Sequence, residues 1–258
     1  MSDGTVRLTI DGPRASVVFD RVEAHNAMTW RMYSELADIC TKLAQDRSIR
    51  VTTFRGAGGR SFVSGTDIQQ FATFEGGETG IEYETRIDAS IAQIEQLPMP
   101  TLAICEGWVM GGGLAIAAAC DLRISTPETR FGVPIAKTLG NCLSAANTAR
   151  LVAGVGTANA KRMLLLADAL DAVQCMACGF VLEIALPDAI DALADQLCTR
   201  LASHAPLTMH AAKETIRRLA LTTGHSAEDL IRLCYGSADF KEGVDAFLGK
   251  RKPRFTGS

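Results

Sequence analysis

Twice in this chain, about fifty residues apart, a short apolar run of β-forming residues ends in a glycine-rich turn and passes into helix-forming sequence. The first instance is Val51-Thr52-Thr53-Phe54, then Gly56-Ala57-Gly58-Gly59, then Phe62-Val63-Ser64-Gly65-Thr66-Asp67. The second is Thr101-Leu102-Ala103-Ile104-Cys105, then Gly111-Gly112-Gly113 and an alanine-rich stretch ending near Cys120. Repetition of strand, glycine turn and helix predicts an α/β fold. It also predicts a kind of site. A helix N-terminus offers backbone N–H groups without intrahelical partners and a partial positive charge, and glycine lets a ligand approach that backbone closely. One such turn is as readily a packing feature. Two at matched positions can hold a single oxygen as it becomes negative, in the manner of an oxyanion hole.

The other segments fill in around these turns. Thr5 to Asp20 reads as two strands around Asp11-Gly12-Pro13. Thr29 is placed to cap a helix in which Trp30, Tyr33, Leu36, Ala37, Cys40 and Leu43 recur at three- and four-residue spacing, a stripe read as core. After Asp67 the sequence predicts a helix, a break over Gly76 to Gly80, and a long amphipathic helix over 81–97 stopped by Pro98 and Pro100. Leu122-Arg123-Ile124 and Phe180 to Ala185 read as strands, with helices over 143–154, 157–167 and 187–203. From Pro206 onward no strand signal remains. Helices over 206–222, 226–235 and 237–248 finish the chain, the middle one opened by a capping-box-like Ser226-Ala227-Glu228-Asp229 start. The division falls near residue 200, between an α/β body over 1–200 and a helical region over 201–258.

Composition removes whole classes of function. Hydrophobic side chains make up 47% of the chain and charged ones 21%, enough apolar material for a large core. A net charge of -3 provides no global basic field, so neither nucleic acid nor an anionic membrane is an expected partner. The most apolar window, Gly107 to Cys120, is bracketed by Glu106 and Asp121 and falls short of the roughly 20 residues that cross a bilayer. The cysteines are scattered and no apolar leader follows Met1, which fits free thiols in a reducing cytoplasm. Cys175-Met176-Ala177-Cys178 lacks a second ligand pair, and His25, His204, His210 and His225 show no ligand spacing, so no metal is expected. Signatures of dinucleotide binding, of a phosphate loop and of a nucleophile elbow also fail. Gly154-Val155-Gly156 meets Asn159 where a third glycine belongs, no glycine lies five residues before Gly249-Lys250, and Phe62-Val63 precedes Ser64.

Arg21 to Met28 ending in Asn26-Ala27-Met28, the run from Gly56 to Ile68, and Gly107-Trp108-Val109-Met110-Gly111-Gly112-Gly113 through Cys120-Asp121 resemble the crotonase, or enoyl-CoA hydratase/isomerase, superfamily. The likeness extends through Phe131-Gly132-Val133-Pro134 to a closing segment, Glu242 to Pro253. It implies a crotonase-like spiral of repeated ββα units, followed by helices that build a homotrimer, commonly paired into a hexamer. It implies an acyl-CoA thioester as substrate, with no cofactor beyond the coenzyme A it carries, and a thioester carbonyl held by the backbone N–H groups of Thr66 and Gly112. Glu23, Ala24, His25 and Asn26, with Ser64, Gly65, Asp67 and Ile68, would line the CoA channel. Trp108, Gly111, Pro134, Ile135 and Leu139 would border the substrate, while Phe247 and Lys250 would reach the CoA of a neighbouring subunit. By residue type alone Lys250-Arg251-Lys252 is a solvated tail; against phosphates it would be useful.

The chain departs from the family where water is activated. Hydratases of this family use two glutamates, at the places held here by Ala115 and Ile135, and an aspartate used by some isomerases falls near Ala145. A positioned acid or base contributes about 10²- to 10⁴-fold, so losing both leaves binding and oxyanion stabilisation. Lys137-Thr138-Leu139-Gly140-Asn141-Cys142-Leu143-Ser144 brings other chemistry close by, in Lys137, Asn141 and Cys142. Against it stand an ordinary surface ion pair for Lys137 and an inert buried thiol for Cys142. Asp67 reads as a helix cap; Glu82 and Glu84 are placed either to project into the acyl end of the pocket or, as the ordinary case, to face solvent. Three readings stay open. One is a hydratase/isomerase-like enzyme that stabilises a thioester enolate. Another is an acyl-CoA decarboxylase or hydrolase, which needs the enolate but not the paired glutamates. The third is an inactive acyl-CoA-binding subunit used for assembly or sensing.

Overall fold

The computed structural model describes residues 3–221 and 228–255. The chain opens with β1 (Thr5–Asp11) and β2 (Arg14–Asp20), antiparallel, with Thr5 opposite Asp20 and Asp11 opposite Arg14. Alternation along β2 buries Ala15, Val17 and Phe19 completely. Helix α1 (Trp30–Gln45) starts where Thr29 accepts a hydrogen bond from the Met32 N–H at 3.2 Å.

Three successive units then repeat one plan. Each sends a strand into a large sheet, a three-residue strand into a small one, and a helical segment back. The first unit is β3 (Val51–Gly56), β4 (Ser61–Val63) and α2 (Gly77–Glu95). The second is β5 (Thr101–Cys105), β6 (Trp108–Met110) and α3 (Gly112–Ala119). The third is β7 (Leu122–Ser125), β8 (Arg130–Gly132), the short α4 (Ile135–Thr138) and α5 (Ala145–Leu165). After them come β9 (Ala169–Asp171), α6 (Ala172–Ala177), β10 (Glu183–Ile184) and α7 (Ile190–Ser203). The large sheet runs β1-β2-β3-β5-β7-β10 and the small one β4-β6-β8-β9. Pairing between successive units is parallel in both, Thr53 beside Leu102 in one and Ser61 beside Trp108 in the other. This is the ββα spiral.

Both faces of the large sheet are covered, as parallel sheets require. Phe19, Phe54, Phe62, Phe131 and Phe180 anchor the main core. Val51, Leu102, Ile104 and Ile124 pack on the other side against Ile190, Ala194 and Leu197 of α7. The chain ends in α8 (Pro206–Leu221), α9 (Glu228–Tyr235) and α10 (Ala238–Leu248), and no strand follows Pro206 among the described residues. Ile231, Tyr235, Phe240 and Val244 from these last helices join the main core.

Several expected elements change. Asp67 opens only one 3-10 turn, Ile68–Phe71, so the first glycine turn does not lead into a helix N-terminus. Gly77 and Gly80 lie inside α2 and not in a break: a Cβ on Gly80 would sit 2.3 Å from the Tyr235 ring, so the glycine is where α9 packs. Phe180 and Val181 are buried but stand before β10, which keeps only Glu183–Ile184 of the predicted strand. Gly156, at φ 78°, divides α5 where two helices were expected. β4, β6, β8 and β9 went unread because three residues are too few to show a period. The predicted start at Ser226 lies outside the described residues.

Candidate active site

The two glycine turns meet. A Cβ on Gly111 would come within 3.7 Å of the Gly65 Cα, and one on Gly112 within 3.4 Å of the Thr66 Oγ1. Gly111, at φ 51° and ψ -118°, gives its N–H to the Gly132 carbonyl at 3.0 Å and ends β6, so that Gly112 begins α3. At a helix start the Gly112 N–H has no intrahelical acceptor. Thr66 reaches the same condition by another route. Met28 N–H donates to the Gly65 carbonyl at 2.8 Å, and the Asp67 N–H donates to the Met28 carbonyl at 2.9 Å. That parallel bridge uses the groups on either side of Thr66, and its own N–H points away from Met28. Neither the Thr66 nor the Gly112 N–H has an acceptor among the described residues.

A cavity of about 10 Å³ lies behind Gly111, walled by Leu114, Ala115, Ala118, Val133, Leu143 and Leu151, with Asn147 as its one polar neighbour. Ala115 is in that wall; Ile135 packs against the main core instead.

Around Gly112 stands a group of hydroxyls that the sequence did not single out. Tyr83 donates to the Thr66 Oγ1 at 2.8 Å, and Tyr33 and Thr66 share a bond of 2.9 Å. Tyr33 belongs to the α1 stripe read as core: its ring is core, and its hydroxyl lies 2.9 Å from where a Cβ on Gly112 would be. Burial pushes both phenols further up, so they stay protonated. A tyrosine on a buried helix face needs a partner for its O–H, and that was the available signal.

Glu84 follows Tyr83 and is buried, not solvent-facing, whereas Glu82 is exposed. Its carboxylate accepts from the Tyr235 hydroxyl at 2.6 Å and from the Ser144 N–H at 3.0 Å. Burial raises its pKa from 4.5 to about 7, although both hydrogen bonds pull the other way and only Asp88 adds to the rise. Asn141 donates to the Tyr235 hydroxyl at 3.1 Å and leaves its Oδ1 buried without a partner among the described residues. Burial, with Cys234 alongside, pushes the Cys142 thiol up, which argues against a thiolate nucleophile. Lys137 is exposed and forms no ion pair among the described residues, against the pairing expected of it.

The proposed CoA channel is partly occupied by folding bonds. Asn26 is buried, accepts from the Arg21 N–H at 2.9 Å and donates to the Ala57 and Ser61 carbonyls at 3.0 and 2.8 Å. Both its amide protons are spent and its side chain is buried, so it serves the fold before any ligand. His25 Nδ1 lies 3.2 Å from the Ser61 Oγ, and Ser64 bonds back to the Ala24 and His25 carbonyls. Asp67 caps its 3-10 turn through the Gln69 N–H at 3.1 Å and pairs with buried Arg21 at 2.8 Å. Glu23, Trp108, Phe247 and Lys250 are exposed, Pro134 and Ile68 half-buried, and Leu139 buried. Arg251 of the late basic run is held by Glu242 at 2.6 Å. No cluster of His, Cys, Asp and Glu among the described residues fits a metal, and no helix there is long and apolar enough to cross a membrane.

Residues 14–258 match the family described as enoyl-CoA hydratase/isomerase. The chain belongs to that family, within the crotonase superfamily. It is 31% identical to the 2,3-dehydroadipyl-CoA hydratase of Escherichia coli K12 over 245 residues, 93% of this chain and 94% of that one. Among solved structures it is 33% identical to an enoyl-CoA hydratase/carnithine racemase from Magnetospirillum magneticum, covering 100% of this chain and 97% of that one with a TM-score of 0.81. A methylmalonyl-CoA decarboxylase complexed with 2S-carboxypropyl-CoA superposes over 100% of both chains at a TM-score of 0.90; at 23% identity this likeness concerns the fold alone.

Proposed function

We propose that this protein binds an acyl-CoA thioester between the Thr66 and Gly112 amides and stabilises its enolate, as an enzyme of the hydratase/isomerase family. The pair of unengaged N–H groups, brought together from separate turns beside an apolar cavity, carries this reading. Two such preorganised donors favour the developing oxyanion over the neutral carbonyl. The coenzyme A moiety arrives with the substrate, and no further cofactor is required for this chemistry.

A second reading, decarboxylation or hydrolysis of an acyl-CoA, is favoured by the wall itself. Ala115 and its neighbours supply no carboxyl group where paired water activation would need one. In decarboxylation the carboxylate C–C bond breaks, its electron pair enters the enolate, and only a proton at Cα is then needed. A non-catalytic assembly or sensing subunit would bind acyl-CoA and turn over none.

Three probes separate these outcomes: crotonyl-CoA followed by loss of its conjugated absorbance, malonyl-CoA followed by release of CO₂ or of free CoA, and butyryl-CoA followed by α-H/D exchange in D₂O. Gly112→Pro deletes one donor at a position where a helix tolerates proline. Because a Cβ there would press on the Tyr33 hydroxyl at 2.9 Å, the variant is made in a Tyr33→Phe background and compared with Tyr33→Phe alone. Its rate is expected to fall about 10²- to 10³-fold. A folded variant with the full rate would overturn the oxyanion assignment.

A further inference from the structure

The hydroxyl group around Gly112 has one proton too many for its own bonds. Tyr33, Thr66 and Tyr83 carry three O–H protons and are joined by two hydrogen bonds, and none of their oxygens meets another acceptor among the described residues. A phenol is the stronger donor, and an aliphatic hydroxyl oxygen can accept twice while donating once. Both tyrosines are buried, at 1% and 8% exposure, and each has Thr66 as its hydroxyl's partner. The arrangement that uses each group best has Tyr33 and Tyr83 donating into the two lone pairs of the Thr66 Oγ1. The proton left over is then the one on Thr66.

Thr66 is also the member of the three that is only half-buried, and its Oγ1 lies 3.4 Å from the point above Gly112 that a Cβ would fill. Its backbone N–H is one of the two unengaged amides. We infer that the Thr66 hydroxyl, fixed by Tyr33 and Tyr83, is a third donor to the thioester oxygen, so that one residue serves the oxyanion twice, through backbone and side chain. This rests on the enolate reading above. Tyr33 and Tyr83 are positioning residues: by saturating the acceptor side of Thr66 they direct its proton outward, before any substrate arrives. Preorganised donors of this kind avoid reorganisation during the reaction.

The test uses the full-length protein, the rate of butyryl-CoA α-exchange or malonyl-CoA decarboxylation, the Kd for butyryl-CoA and the Tm. Thr66→Val keeps the shape and the backbone N–H and removes the hydroxyl. Its rate is expected to fall about 10²-fold or more with the butyryl-CoA Kd within about two-fold, and Thr66→Ser is expected to restore most of the rate. Since Thr66→Val strands two buried phenols, the triple variant with Tyr33→Phe and Tyr83→Phe is made as well. It should fold and show the same loss, while Tyr33→Phe/Tyr83→Phe with Thr66 intact loses only a few-fold, being freer to rotate. Thr66→Val or the triple variant at the wild-type rate would overturn the third donor while leaving the two amides in place. Wild-type protein inactive on every probe, or indifferent to Gly112→Pro, would instead remove the enolate reading and this inference with it.

Discussion

Glu84 carries a protonation equilibrium that is coupled to folding. Because burial raises its pKa from 4.5 to about 7, the folded protein holds this proton more tightly than the unfolded chain does. By linkage, its contribution to stability is fully present below about pH 4.5 and is lost as the pH rises through about 7. Glu84→Gln abolishes the titration. Unfolding of both proteins followed from pH 4.5 to 8 is expected to shift the stability gap in the variant's favour by up to about 3 kcal/mol; a gap independent of pH would contradict the assignment. Tyr235 beside it keeps its proton, since its own burial and then the Glu84 charge both raise the phenol. Sequence period alone could not separate Glu84 from exposed Glu82, because what buries Glu84 is a tyrosine more than a hundred residues later.

Helix α2 is a main joint between the body and the final helices, together with the Lys213–Asp121 ion pair of α8. Along it Gly77 meets the Arg232 backbone and Gly80 meets the Tyr235 ring, so α9 rests on a groove with no side chains. Tyr83 and Glu84 then reach to Thr66 and to Ser144. One turn further on, Asp88 accepts from the Ser144 hydroxyl at 2.8 Å, and near the end Glu95 takes Arg150 in two bonds of 2.9 Å. Gly80→Ala improves the intrinsic helix propensity by about 1 kcal/mol yet puts a methyl into the Tyr235 ring. The second effect should dominate, with a net loss of about 1–3 kcal/mol and faster amide exchange in α9. A variant as stable as the parent, with α9 equally protected, would show that the groove yields. Helix α3 presents the reverse case: a Cβ on Gly113 would lie 2.0 Å from the Val63 carbonyl, which sets how closely the second glycine turn sits on β4.

At the scale of the whole molecule, two groups of exposed apolar side chains call for company. Leu165 and Leu166 at the end of α5 and Ile216 and Leu219 on α8 are exposed at 74%, 68%, 68% and 68%, and residues three apart on a helix share a face. The homotrimer or hexamer proposed from the family would cover such side chains. Light scattering is expected to give three or six chain masses, and Ile216→Asp with Leu219→Asp to lower the assembly; a wild-type mass of one chain would rule the oligomer out. The spiral itself came from the family resemblance, but two repeats of strand, glycine turn and helix were legible in advance, because glycine turns and apolar runs are local. So were the Thr29 cap and the hairpin. The small sheet was not, since its strands gain stability only from pairing with one another. By itself the sequence determined the two glycine turns; that Thr66 and Gly112 are the amides concerned came from the family resemblance, and the Thr66 amide is left unengaged by the bridge to distant Met28. Only the tertiary structure decided that these amides share one opening, that Tyr33 and Tyr83 converge on Thr66, and that Glu84 is buried, because each depends on contacts between residues far apart in the chain.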